Sequence, residues 1–305
     1  MSARRSLIPE MLRYAILLVL LAAVPFAVPA QDQPLAINPE TLSAEQIRDL
    51  VRQVADKDIE NNKKQRDYTY MEREEEHKLD GDGKLKSTEA RTYEIMVLYE
   101  EPVRKLMAKD DKPLSESDAR KEDDKIQKII DKRKNESDSD RAKRVEKEDK
   151  EREDARAFVK EVADAYDFRY AGTEVFEGRE TYVVDADPHP GYEPHHKDAK
   201  FLPKFRFRAW IDKAELQWVK LDIQCIDTVS VGLFLARIHK GSNVQIEQTR
   251  VNDEVWLPKH VALKIDARIA LFKGLNLAED VIYRDYQKFR ANIKIVPVGE
   301  VKEER

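Results

Sequence analysis

The chain has 305 residues, 41% hydrophobic and 38% charged, which is enough apolar material for one large domain or two average ones. Its 55 basic residues nearly balance 60 acidic ones, so no global field draws it to nucleic acid. Cys225 is the only cysteine, which excludes an internal disulfide and leaves the fold to be held by its core.

The N-terminus is a different material from the rest. "MSARRSLIPEMLR" carries Arg4, Arg5 and Arg13 and leads into the apolar run "YAILLVLLAAVPFAV". Val28 and Ala30 are the small residues before Gln31. That order predicts a signal peptide over residues 1–30, cleaved before Gln31, and a periplasmic mature protein. The run falls short of the roughly 20 residues of a spanning helix, and Pro25 and Pro29 break its end. An uncleaved inner-membrane anchor is the alternative; Arg4-Arg5 also raises twin-arginine export.

"TLSAEQIRDLVRQVADKDIENNKK" predicts a helix. Ser43 and Gln46 have capping-box spacing. Ile47, Leu50, Val51 and Val54 share one face, with Ile59 continuing it. Two strands follow, "RDYTYMEREEEHKL" and "KLKSTEARTYEIMVLY", around "DGDG". Tyr93, Ile95, Val97 and Tyr99 alternate on the second. A calcium loop starting at Asp80 would need Gly and Glu where Leu85 and Arg91 stand, so a hairpin turn is predicted.

Residues 103–165 are predicted to be a charged helical insertion. Pro113 and "SESD" open a helix carrying Ile126, Ile129 and Ile130. "DKRKNESDSDRAKRVEKEDKERED" then has Val145 as its single large aliphatic residue, too little to build a core. It reads as a solvated helix, with an interaction arm as the alternative. "ARAFVKEVADAY" recovers an apolar face through Phe158, Val159, Val162 and Tyr166.

Beyond residue 167 nearly everything reads as strand. "KFRFRAWIDK" places Phe205, Phe207, Ala209 and Ile211 on one face, and Trp210 on the other, beneath a helix. "LQWVKLDIQCID" places Val219, Leu221, Ile223 and Cys225 in phase and Trp218 at the rim. "VWLPKHVALKIDARIAL" does the same for Val261, Leu263 and Ile265. Tight turns between consecutive strands predict an antiparallel sheet of about ten strands that curls.

"DADPHPGYEPHHKDAKF" concentrates His189, His195 and His196 with Asp185, Asp187, Glu193 and Asp198, a set that could reach one metal ion. Against this, adjacent His195 and His196 point opposite ways in an extended segment. Pro188, Pro190, Gly191 and Pro194 make a turn-rich connection. A solvent-facing loop at the mouth of the sheet is the reading, and a metal-dependent hydrolase using these histidines is a remote alternative. Without a Gly-x-Ser-x-Gly elbow, a His-Glu-x-x-His pair or a phosphate loop, neither an enzyme nor a cofactor is predicted.

Several short patterns recur in a fixed order: the helix at 43–62, Tyr68 and Tyr70 opening a strand, "GRETYVV", "AWIDK" before "WVKLDIQ", "QTRVNDEVWLP" and "YRDYQKF". In that order, through most of residues 40–290, the chain is similar to the periplasmic lipoprotein-carrier superfamily. Its members include LolA-like and LolB-like carriers and the N-terminal domain of periplasmic anti-sigma-factor regulators. The resemblance implies an α+β fold. A curved antiparallel sheet would form a half-open incomplete β-barrel covered by helices, within one domain over residues 31–305. It also implies a cavity for acyl chains, with a lipoprotein or acyl-chain ligand and a possible membrane-protein partner. Phe205, Phe207, Ile211, Val219, Leu221, Ile223, Leu263 and Ile265 are the residues expected to line it. Each buried methylene would contribute about 0.8 kcal/mol. An envelope regulatory or structural protein without lipid cargo is the other reading. The charged stretch at 115–157 is longer than a carrier's lid segment, which is where the chain departs from the family.

Overall fold

The computed structural model describes residues 42–99, 101–195, 199–231, 236–269 and 273–288. The predicted signal peptide, His196 and Asp198 lie outside them.

Helix α1 (Ala44–Gln65) starts where its sequence dictates. The Ser43 side chain accepts from Gln46 N at 3.2 Å, and the Gln46 side chain accepts from Ser43 N at 2.8 Å. Ile47, Leu50 and Val54 are buried on one face. They pack on Val184, Ala209 and Ile211 of the sheet.

The strands are β1 (Tyr68–Leu79), β2 (Leu85–Leu98), β3 (Glu101–Lys109), β4 (Lys112–Pro113), β5 (Tyr166–Phe176), β6 (Arg179–Pro188), β7 (Phe205–Asp212), β8 (Trp218–Cys225), β9 (Val229–Val231), β10 (Ala236–Ile238), β11 (Asn243–Val251), β12 (Val255–Ile269) and β13 (Lys273–Lys288). They form one antiparallel sheet in the order β4-β3-β2-β1-β13-β12-β11-β8-β7-β6-β5, with β9 and β10 attached at β12. The two ends, β4 and β5, do not pair, so the sheet is open. The chain begins in the middle, runs to one edge, crosses by helices to the other edge and walks back strand by strand. The β1–β2 turn is a hairpin: Asp80 Oδ1 accepts from the backbone of Asp82 and Lys84, both at 2.9 Å, and Gly83 takes a φ of +78°.

The helical insertion begins later than its predicted start at residue 103. Residues 101–113 continue the sheet as β3 and β4, and α2 (Glu116–Lys134) and α3 (Asp138–Ala165) follow. Ser115 and Ser137 cap them by accepting from Asp118 N and Asp140 N. β3 is an edge strand for most of its length, because β4 reaches only Ala108 and Lys109. That explains why Pro102, without an N–H, is tolerated in it. α2 guards this edge: the Glu122 carboxylate accepts from Leu106 N at 3.2 Å, and Asp123 pairs with Lys105 at 2.6 Å.

α1 and α3 pack over the β5–β8 end of the sheet together with a 3-10 turn at Ala199–Lys204. There they close a core of Phe158, Tyr166, Leu202, Phe205, Ile223, Val244 and Val261. The far end of α1 is fixed by polar contacts. Asn61, 6% exposed, donates to Trp256 O at 2.7 Å and accepts from Trp256 N at 2.8 Å. Asn61→Ala removes both and leaves a buried N–H unpaired. It is expected to lower stability by about 1–3 kcal/mol in urea unfolding.

Candidate functional site

The eight residues expected to line a cavity fall on β7, β8 and β12 of one sheet. Phe205, Ile211, Ile223 and Leu263 are buried, and Phe207, Leu221 and Ile265 are half-buried against them. These seven belong to two core clusters, one of which also holds Phe158 of α3 and the other Ile47, Leu50 and Val54 of α1. Val219 is separate. The register slips between Trp210 and Ile211, and Val219 lines a recess of about 140 Å³ with Phe176, Arg179, Gln248, Arg250 and Trp256. Cys225 faces inward as its phase predicts, with its thiol pushed up to about 11 by burial.

The two tryptophans depart in part from what their sequence context suggested. Trp218 is under α1, not at a free rim, and donates to the Asp58 carboxylate at 2.8 Å beside Gln217 at 3.1 Å. Burial raises the Asp58 pKa, and these two donors and Asn62 oppose the rise. Trp210 is on the opposite face as predicted. There its partners come from neighbouring strands: it donates to Glu174 at 2.7 Å, and Lys220 lies 5.5 Å from its ring.

The histidine loop is anchored through its backbone and tyrosine. The buried Glu161 of α3 accepts from Tyr192 Oη and from His195 N. The His195 ring is 85% exposed, and His189, half exposed, contacts Asp167 at 2.8 Å. Among the described residues, no three His, Cys, Asp or Glu side chains are placed to hold one metal ion.

The inner face changes character at β13. Leu277 and Val281 still belong to the apolar core. Between them on the same face stands Glu279, 6% exposed. The β1–β13 register sets Glu72 opposite Tyr283, Glu74 opposite Val281 and Glu76 opposite Glu279. The β1–β2 register continues the row with Tyr93 opposite Glu72, Arg91 opposite Glu74 and Glu89 opposite Glu76. From β3, Arg104 lies over the Tyr93 ring at 4.0 Å and bonds both Glu72 and Glu74. Tyr70 packs on Tyr283 and Tyr286 at ring separations of 5.8 and 5.2 Å. Burial is the main cause that raises both Glu72 and Glu279 to about 7. For Glu72 the Arg104 charge opposes it; for Glu279 the neighbouring Glu74, Glu76 and Glu72 add to it. The face can therefore hold a cation or retain protons near neutrality.

Half the signal for this carboxylate row is present in the sequence. In "EREEEHKL" every second residue from Glu72 to Glu76 is glutamate, which is one face of a strand. In "LAEDVIY" Glu279 shares the phase of Leu277, Val281 and Tyr283.

No protein-family model matches the chain, and no curated protein matches it. Among solved structures, it is similar to a DUF1329 family protein from Desulfovibrio piger, over 82% of this chain and 95% of that one, at 10% identity and a TM-score of 0.31. It is also similar to a provisionally assigned outer membrane lipoprotein-sorting protein domain from Vibrio parahaemolyticus, over 80% and 95%, at 10% identity and 0.29. A LolA superfamily protein from Nitrosomonas europaea matches over 79% and 93%, at 9% identity and 0.28. Scores this low assign no task to the chain.

The buried carboxyls make a pH prediction. Glu72 and Glu279 keep their protons to about pH 7 when folded and lose them near 4.5 when unfolded. Between those values the folded state binds more protons, so stability falls as pH rises through this window. Glu279→Gln is expected to flatten that fall and to raise stability at pH 8 by about 1–3 kcal/mol, read from urea unfolding at pH 5 and pH 8.

Proposed function

We propose that this chain is a non-enzymatic binding and transfer protein of the cell envelope, carrying a lipidic or lipoprotein ligand on the apolar half of its sheet. The observation that carries this reading is the dry sheet face, built by β6, β7, β8, β11 and β12, part of which lies under α1. α1 rests on it through Ile47, Leu50 and Val54. An acyl chain seated on the part under α1 takes the place of that helix.

The exchange is close to balanced. Ten buried methylenes contribute about 8 kcal/mol gross. Exposing three aliphatic side chains of α1 costs about 5–9 kcal/mol. A near-even exchange suits a protein that must release what it takes up. The sequence supports the same reading through its predicted signal peptide and its likeness to the lipoprotein-carrier superfamily.

A second reading is a regulatory or structural envelope protein that binds a protein partner without lipid cargo. One observation favours it: α2 has no buried residue, and α3 leaves Val145 36% exposed in its charged first half.

Fluorescent fatty-acid titration and native mass spectrometry separate the two. The carrier reading predicts saturable uptake with about one bound chain per protein, in the micromolar range. Blank results in both, together with a membrane-protein partner lost in Val145→Glu, would replace it by the second.

A further inference from the structure

Gln248 stands on β11 in phase with Val244 and Ile246 and is buried like them, at 3% exposed. Packing alone would put an apolar side chain there. Among the described residues, its amide oxygen is buried without a hydrogen-bond partner, and its amide nitrogen has no partner either. Buried polar groups are nearly always paired, and an unpaired one costs stability. A ligand that pairs with both ends of this amide would reverse that cost.

Gln248 lines the recess of about 140 Å³ that Val219 also lines. Phe176, Val219 and Trp256 give the recess apolar walls, and Arg179 and Arg250 give it charged ones. Glu215 fixes the charged side in place. Its Oε1 accepts from Arg179 Nη2 and Arg250 Nε, both at 3.0 Å, and its Oε2 accepts from Trp256 Nε1 at 3.0 Å. Arg179 Nε also donates to Asp212 at 2.5 Å, and Arg250 Nη2 donates to Asp253 O at 2.6 Å. Nη1 of each arginine keeps no partner among the described residues. The charges cancel: Asp212 and Glu215 balance the two guanidiniums, and Glu177 of the lining pairs with Lys259. None of the lining residues belongs to the two core clusters under α1 and α3, so the recess is distinct from the face of the carrier reading.

These walls specify the ligand. A carboxylate meets no net positive charge and has no donor for the Gln248 oxygen. A cation meets two guanidiniums. A carboxamide has both halves: its N–H donates to the Gln248 oxygen, and its C=O accepts from the Gln248 nitrogen or from an arginine Nη1. The size agrees, because a cavity of about 150 Å³ takes benzene, a molecule of about six heavy atoms. We infer that the recess binds a neutral carboxamide on a short alkyl stem, with Gln248 pairing the amide and Phe176, Val219 and Trp256 contacting the stem. A glutamine or asparagine side chain of a polypeptide and a free small amide share this chemistry. The inference goes beyond the carrier reading and does not depend on it.

The test is an NMR titration of butyramide, butyrate and 1-butanol at pH 7 into wild type and Gln248→Met. Butyramide is expected to shift the Gln248 side-chain amide and the Trp256 indole N–H saturably, with a Kd at least about fivefold below those of butyrate and butanol. Gln248→Met keeps the bulk and removes the unpaired amide, so it is expected to lose that preference while melting no lower than wild type. Equal binding of the three probes, or a preference that survives in Gln248→Met, overturns the site. So does the absence of any saturable shift together with water-to-Gln248 Overhauser contacts, which would leave water as the partner of the amide. Should Gln248→Met fail to fold, Overhauser contacts in wild type decide: contacts from the butyramide methyl to Val219 and Trp256 keep the site, and their absence sinks it. Tighter binding of capped Gly-Gly-Gln-Gly-Gly than of butyramide assigns the carboxamide to a polypeptide side chain, and weaker binding assigns it to a free small amide.

Discussion

The pairing of β1 with β13 is the constraint from which the rest of the structure follows. The two strands lie almost 200 residues apart in sequence yet share an unbroken antiparallel register from Met71–Arg284 to Leu79–Asn276. Without this seam the sheet would fall into two pieces, the helix-covered strands β5 to β13 and a separate four-strand ribbon, β1 to β4. With it, the dry face built by β6, β7, β8, β11 and β12 runs into a face of glutamates and tyrosines. The boundary between the two chemistries is β13 itself, where Leu277, Glu279 and Val281 alternate with outward-facing neighbours. Any ligand lying across this boundary meets apolar side chains at one end and carboxylates at the other.

The helices are distributed in keeping with that division. Their main contacts are with one another, with β5 and β12, and with β3 at the far edge. α1 combines an apolar stripe with a polar clamp, Asn61 on the Trp256 backbone and Asp58 on the Trp218 indole. The stripe is non-directional and can be replaced by an alkyl chain, whereas the clamp fixes where α1 returns. In the proposed carrier, a ligand would displace the N-terminal half of α1 while its C-terminal half stays docked.

Local features were legible in the sequence, and features made by distant pairing were not. The start of α1 was readable because a capping box is a four-residue signal, and the inward phase of Phe205, Ile223 and Leu263 because strands alternate. β3 falls inside the insertion predicted from residue 103; its Pro102 suits a strand only at an edge, which is a property of the whole sheet. The apolar candidates other than Val219 share the inward face, and whether such a face lines a cavity or fills a core depends on how closely α1 and α3 settle on it. The carboxylate row was hidden for the same reason. "EREEEHKL" looks like a solvated charge run until β13 brings Glu279 beside Glu76 and β3 brings Arg104 over Tyr93.

The central claim is that ligand and α1 compete for one apolar sheet face. Amide hydrogen exchange with and without a saturating fatty acid tests it most directly. The account predicts faster exchange in the Ile47–Val54 stretch of α1 when ligand is bound, with slower exchange in β7, β8 and β12. Slower exchange throughout α1 on ligand binding would contradict it, because the ligand would then be stabilising the helix in the place it is supposed to vacate.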